Sequence, residues 1–238
     1  MFKLIKLVVY MSAMALAAAG IYIGWNFVYP NVAALKKSNP EKTAFMEYRE
    51  EEWRKAGRKT KIRTKWVPLD RISPFLRKAV IISEDDKFWG HGGFDIEGIQ
   101  KALEKDLKTK KFKAGGSTIS QQLAKNLYLS PEKSVTRKLK EAILTYRIEK
   151  TLSKKRILEI YLNVIEWGDG IFGAEAAARA WFGKPASALT AEEAARLVVI
   201  LPNPRKLNPL RQEGYVKRRA DTIYDIMVRR GIVIEEEE

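Results

Sequence analysis

Gly115-Gly116-Ser117-Thr118-Ile119-Ser120-Gln121-Gln122-Leu123-Ala124-Lys125-Asn126-Leu127 is the stretch on which the reading of this chain turns. Two glycines and a hydroxyl pair break the chain, and Ile119, Leu123 and Leu127 then recur four apart, so the segment predicts a helix with one apolar stripe. The other face carries Thr118, Gln121, Gln122 and Lys125. Free backbone N–H groups at a helix start favour anions, and Lys125 lies about two turns further along. This face suits a phosphate, or it is an ordinary wet helix surface.

Outward from that helix, most signals are again helical. Ser73-Pro74 predicts a helix through Ile82, Ser130-Pro131 another start, and Ser153 a helix with Ile157, Ile160, Tyr161 and Val164, stopped by Gly168. Thr190-Ala191-Glu192-Glu193 has the form of a capping box. Trp66-Val67 is the best strand candidate, so the domain is expected to be mainly α-helical.

Composition narrows the chemistry. The 238 residues carry a formal net charge of +15, with 46% hydrophobic and 31% charged residues. That excess of cations favours a polyanionic partner: nucleic acid, anionic lipid or a phosphorylated substrate. No cysteine is present, which excludes disulfides and thiolate chemistry, and His91 is the single histidine. Proton transfer near neutral pH then falls to a carboxylate with a shifted pKa. Glu84 follows the apolar run Ala79-Val80-Ile81-Ile82 at a helix end, where desolvation and the dipole both disfavour its charge. The ordinary alternative is a solvated glutamate in the cluster Glu84-Asp85-Asp86. Lys133, Arg137 and Glu141 recur at four-residue intervals, as a diphosphate clamp or a surface ion-pair ladder.

Between Lys6 and Lys36 lie 29 residues without a charge. Leu7 to Val28 is long enough to cross roughly 30 Å of hydrocarbon as a helix. Trp25 and Tyr29 sit near one end, and Pro30 ends it. A cleaved signal peptide, with Ala17 and Ala19 near a cleavage point, is the rival. Lysines flank both sides, so charge bias leaves the orientation open, and the Gly20/Gly24 pair is weak evidence for helix association. The expected organisation is an anchor over 1–30, a polar stalk over 31–65, the catalytic domain over 66–230 and an acidic tail over 231–238.

Taken in order, the motifs form a series: Glu84-Asp85-x-x-Phe88-x-x-His91-x-Gly93, the Gly115–Leu127 stretch, Arg137-Lys138-x-x-Glu141, Ile157-x-Glu159-x-Tyr161-Leu162-Asn163, and Gly168 through Phe182. Over roughly Trp66 to Pro209 this series closely resembles the peptidoglycan glycosyltransferase family, and Ile165-Glu166-Trp167-Gly168 is similar to its monofunctional members. The remaining residues leave no room for a transpeptidase domain.

The resemblance implies a lysozyme-like helical domain with a small membrane-proximal lobe, to which the apolar Leu7–Val28 span adds one expected N-terminal transmembrane helix. It implies polymerisation of lipid II into β-1,4 glycan by inverting transfer from a polyprenyl-diphosphate donor. Glu84 matches the general base, and Glu141 the second essential carboxylate. Lys125, Lys133 and Arg137 match the positions that hold the diphosphate. Asp85, His91, Ser117, Thr118, Gln121, Gln122, Asn126 and Lys138 complete the expected substrate-binding set. Lys133 stands where arginine is more usual and loses the bidentate fork, while Ser120 replaces threonine and keeps the hydroxyl.

No cofactor is required; a divalent cation such as Mg2+ would be an auxiliary at the diphosphate, with no metal-binding residue set in the sequence. Expected partners are lipid II, the growing lipid-linked glycan, the membrane and cell-wall synthesis or division proteins, not nucleic acid. The expected location is the bacterial inner membrane, single-pass, with the domain outside the cytoplasm. The basic run Lys105 to Lys113 is either a contact for anionic lipid or a solvated loop. A lysozyme-like hydrolase and a non-enzymatic basic membrane module are the competing functions.

Overall fold

A computed structural model describes residues 2–109, 116–132 and 134–233; within it the side chains at 16, 19, 22, 23, 26, 27, 102, 103 and 105–109 lie outside the description. The order begins with α1 (Phe2–Val28), a 3-10 turn at Val32–Lys36, α2 (Ala44–Lys55) and β1 (Arg63–Thr64). Next come α3 (Pro74–Glu84), α4 (Ile96–Thr109), α5 (Ile119–Tyr128), α6 (Val135–Thr151) and α7 (Lys154–Val164). A hairpin of β2 (Glu166–Gly168) and β3 (Ile171–Phe172) leads to α8 (Ala174–Phe182), α9 (Ala191–Val199) and α10 (Gly214–Arg229). The fold is mainly helical, as the periodicity predicts.

Most helix starts sit where the sequence places them, because a cap is a local interaction. Ser73 accepts a hydrogen bond from Phe75 N with Pro74 in the first turn, and Thr190 and Glu193 close a capping box on α9. The start at Ser130-Pro131 is different: Ser134 caps α6 instead, accepting from Arg137 N at 3.1 Å, and Ser130 and Pro131 stay in the loop. The α7 helix ends at Val164, short of Gly168, since Glu166–Gly168 pairs with β3.

The small sheet has the order β1-β3-β2, with β1 parallel and β2 antiparallel to β3. Trp66-Val67, the expected strand, is not one. The Asn163 side chain substitutes for a strand neighbour, accepting from Val67 N and donating to Val67 O, each at 2.9 Å. The strand proper is Arg63–Thr64, paired with Ile171 and Phe172.

The main core lies where α3, α5, α7, α9 and α10 meet, with Leu76, Val80, Ile119, Leu123, Ile160, Leu197 and Ile223 almost fully buried. A second cluster joins Met46 and Trp53 of α2 to Phe172. The segment expected to be a stalk is therefore packed over much of its length. Arg49 pairs with Glu166, Trp53 Nε1 donates to Asp169, Arg58 pairs with Asp169, and Arg205 bridges Glu52 and Asp169. Polar composition misleads there because the charges of α2 meet charges distant in sequence.

The α1 helix runs for 27 residues, and Arg147 donates to Val28 O and Pro30 O just past its end, at 2.9 and 2.7 Å. Among the described residues, no helix is long and apolar enough to cross a membrane.

Trp53 is 1% exposed. Replacing it with alanine should lower stability by about 3–5 kcal/mol through a lost transfer term and a cavity. Urea unfolding of the full chain in detergent measures this; a loss below about 1 kcal/mol would mean α2 is not docked.

Candidate active site

Glu84 is the last residue of α3, one turn past Val80 and Ile81 in the core. Its Oε2 accepts from Gln122 Nε2 at 2.8 Å, and Gln122 Oε1 accepts from the Tyr161 hydroxyl at 2.9 Å. Tyr161 is 1% exposed, and burial pushes its pKa far above the usual tyrosine value, so it stays a donor. That relay fixes which end of the Gln122 amide faces Glu84. Burial raises the Glu84 pKa above the ordinary 4.5, against the opposing pull of the Gln122 hydrogen bond and the charges of Arg219 and Lys125.

Asp85 turns the opposite way from its neighbour. Its Oδ2 accepts from Ile119 N, the first residue of α5, at 2.9 Å, and its Oδ1 lies 2.8 Å from His91 Nε2. Gly93 N donates to His91 Nδ1 at 3.0 Å, so the neutral ring carries its proton on Nε2 and donates to Asp85. Gly93 has φ +98°, and a Cβ there would lie 2.8 Å from Glu149 Cγ and 2.9 Å from Thr145 Cγ2. Only glycine fits. Asp85 and His91 thus lock the end of α3 onto the start of α5.

The α5 N-terminus, expected to receive an external anion, already holds one in Asp85. Thr118 and Gln121, expected on an open substrate face, are 3% and 5% exposed and form a capping box. Thr118 Oγ1 also donates to Gly93 O at 2.7 Å. Their polar atoms are satisfied inside the protein, and their first duty is to hold the helix end. Ser117 is exposed at the entrance to α5, and the buried Ser120 hydroxyl donates to Glu149.

On α6, Glu141 is 3% exposed and gripped by Arg137 Nη1 at 2.6 Å and Lys138 Nζ at 2.5 Å. Arg137 Nε is buried without a hydrogen-bond partner. Lys125 stands between this cluster and Glu84. Burial lowers its pKa, Glu141 and Glu84 raise it, and Arg137 and Lys138 lower it. Glu84, Gln122, Lys125, Arg137, Lys138 and Glu141 are therefore gathered in one electrostatic neighbourhood. Lys133 lies outside the described residues.

Beside Gln122, Lys125 and Asn126 a cavity of about 190 Å³ opens, walled across by Arg49, Tyr161 and Glu166. Asn126 Nδ2 donates to Gln122 O at 2.8 Å, bracing the helix there. Burial raises the Glu166 pKa against the opposing hydrogen bond from Arg49. Sequence reasoning assigned none of these three wall residues to the site. Tyr161 reads as core by its spacing, Glu166 lies in the stretch similar to monofunctional relatives, and Arg49 has no local signal at all.

A carboxylate of raised pKa, a largely buried lysine and a second carboxylate clasped by two cations are the groups an enzyme would use to remove a proton beside an anion. The chain belongs to the transglycosylase family, whose model matches residues 50–228. Proteins named biosynthetic peptidoglycan transglycosylase are among its relatives. That of Nitrosospira multiformis is 46% identical over 214 residues, covering 90% of this chain and 93% of its own. That of Azoarcus sp. is 52% identical over 192 residues, 80% and 83% of the two chains, and that of Aromatoleum aromaticum 58% over 168, 71% and 73%.

The raised Glu84 pKa has a sign that can be measured. If Glu84 is the base, it acts when ionised, and the acid limb of kcat/KM for glycosyl transfer should then fall above pH 4.5. Gln122→Ala removes a hydrogen bond to the ionised form and should move that limb to higher pH; a shift to lower pH contradicts the relay. The protonated form of Glu84 also favours folding, an advantage complete below 4.5 and lost as pH climbs through the raised value. Thr118→Ala should lower stability by about 1 kcal/mol in thermal unfolding with KM unchanged; a raised KM at unchanged stability would make Thr118 a substrate contact.

Proposed function

We infer that this chain is a peptidoglycan glycosyltransferase that polymerises lipid II, with Glu84 as general base. The observation that carries this is the family match over residues 50–228, joined by the Glu84–Gln122 hydrogen bond and the pairing of Glu141 with Arg137 and Lys138. The acceptor is lipid II, whose GlcNAc 4-hydroxyl loses its proton to Glu84 as its oxygen attacks the donor MurNAc C1. The C1–O bond to the polyprenyl diphosphate breaks with inversion, and the electron pair leaves on the diphosphate. A diphosphate is a competent leaving group, so cations matter more there than a strong acid. Lys125, Lys133, Arg137 and Lys138 supply them, and Glu141 orients Arg137 and Lys138.

Asp85, His91, Thr118 and Gln121 act by positioning Glu84 and Gln122, while Ser117 and Asn126 edge the substrate path. A divalent cation such as Mg2+ would be an auxiliary at the diphosphate; among the described residues no group of three His, Asp or Glu side chains is placed to hold a metal ion.

The uncharged run of α1 supports a single membrane-spanning anchor in the bacterial inner membrane, with the domain on the outer side where lipid-linked sugars are polymerised. The exposed Ile96 and Ile99 of α4 support the small lobe near the bilayer. Partners are lipid II, the growing glycan and the proteins of wall synthesis and division.

Labelled lipid II tests the assignment. Glu84→Gln should abolish polymer while lipid II binding persists, and Arg137→Ala should raise KM as well as lower kcat. Near-normal polymerisation by Glu84→Gln would remove Glu84 as the base. Release of short glycan from finished wall by the wild type, without polymer from lipid II, would make the protein a hydrolase.

A further inference from the structure

A second cavity, of about 640 Å³, opens between the start of α3 and the start of α7. It shares no lining residue with the cleft beside Gln122 and Lys125. Its volume lies within the ~300–1,000 Å³ usual for small-molecule sites. Arg77, Lys78 and Ile81 line it from α3. At 100° per residue they share the helix face turned away from the buried Leu76, Ala79 and Val80. Nothing in the reaction at Glu84 uses this face.

The charges around the cavity are unevenly committed. Arg156 is fully engaged, pairing with Glu159 and donating to Leu35 O, Ser38 O and Asn39 Oδ1. Glu159 in turn accepts from Leu69 N at 3.0 Å. Arg77 differs: its Nε is buried with no hydrogen-bond partner, and among the described residues it has no carboxylate within ion-pair distance. A desolvated guanidinium N–H without an acceptor is costly and rare. Lys78 and Lys155 stand exposed at the rim, and the amino end of α7, capped by the exposed Ser153, adds a positive dipole end. Asp70 is the one lining carboxylate outside the Arg156–Glu159 pair.

The remaining wall is apolar. Leu158 and Ile81 form it, and Trp89, 51% exposed, presents its indole at the edge. A cavity with a cationic end and an aromatic side selects a ligand of matching halves.

We propose that this cavity binds a phosphate ester carried on an apolar or aromatic group, its phosphate toward Arg77 and the start of α7 and its apolar part against Trp89. A lipid headgroup and a soluble organic phosphate share that chemistry. The site is separate from the glycosyl-transfer cleft and does not depend on the role of Glu84.

The full chain in neutral detergent micelles is titrated calorimetrically with dihexanoyl phosphatidate, phenyl phosphate and inorganic phosphate. Saturable binding of at least one of the two esters, tighter than inorganic phosphate, is expected; the tighter ester names the source. Arg77→Ala/Lys155→Ala should weaken it by about tenfold or more. Lys78→Glu/Lys155→Glu, at two exposed positions where folding is least at risk, should do the same. Lys206→Ala/Arg211→Ala removes equal charge elsewhere and should leave binding intact. A change in tryptophan fluorescence on binding should vanish in Trp89→Phe. Failure of both esters to bind, inorganic phosphate binding as tightly, or equal loss in the Lys206/Arg211 variant each overturns the proposal.

Discussion

The carboxylate of Asp85 joins the C-terminal end of α3 to the N-terminal end of α5, and the site is assembled across that joint. A helix C-terminus repels a carboxylate and a helix N-terminus attracts one. Glu84 and Asp85 are adjacent in sequence yet fall on opposite sides of this rule. Asp85 reaches the start of α5 and has its charge satisfied by Ile119 N and His91. Glu84 remains at the end of α3, where burial raises its pKa against the opposing hydrogen bond from Gln122. A single peptide bond separates the two environments.

Everything near Glu84 follows from holding α5 at that distance. The capping box at Thr118 stiffens the helix start, Gly93 allows the His91 loop to pass close to α6, and Tyr161 of α7 orients Gln122. With α5 so fixed, Lys125 is carried two turns along to face Glu141 and its cations. The lysine is largely buried and feels carboxylates and cations alike, which is a poor arrangement for stability and consistent with the proposed diphosphate-binding role. Arg137 Nε is buried there without a hydrogen-bond partner.

The packing of α2 changes how the chain is organised. A polar segment that reads as a spacer instead supplies Arg49 to Glu166 at the wall of the cleft and Trp53 to a small core with Phe172. The family match beginning at residue 50 falls within this helix, well before the expected boundary at 66. Arg49 pairs with Glu166 of the hairpin and Glu52 with Arg205, each more than a hundred positions away, and no window of sequence contains both.

Sequence alone determined the helical class, the caps at Ser73, Ser153 and Thr190, the apolar stripes, and the ordered motifs that single out Glu84 and Glu141. These are local or family-wide patterns, and local hydrogen bonds are formed by residues a few positions apart. The tertiary structure decided which polar residues face inward. Thr118 and Gln121 read as an open face and prove to be internal caps; Tyr161 reads as core and proves to orient Gln122; the strand expected at Trp66-Val67 is displaced by the amide of Asn163. Tyr161 and Gln122 lie 39 positions apart and Asn163 and Val67 96, so these pairings exist only once the helices have packed.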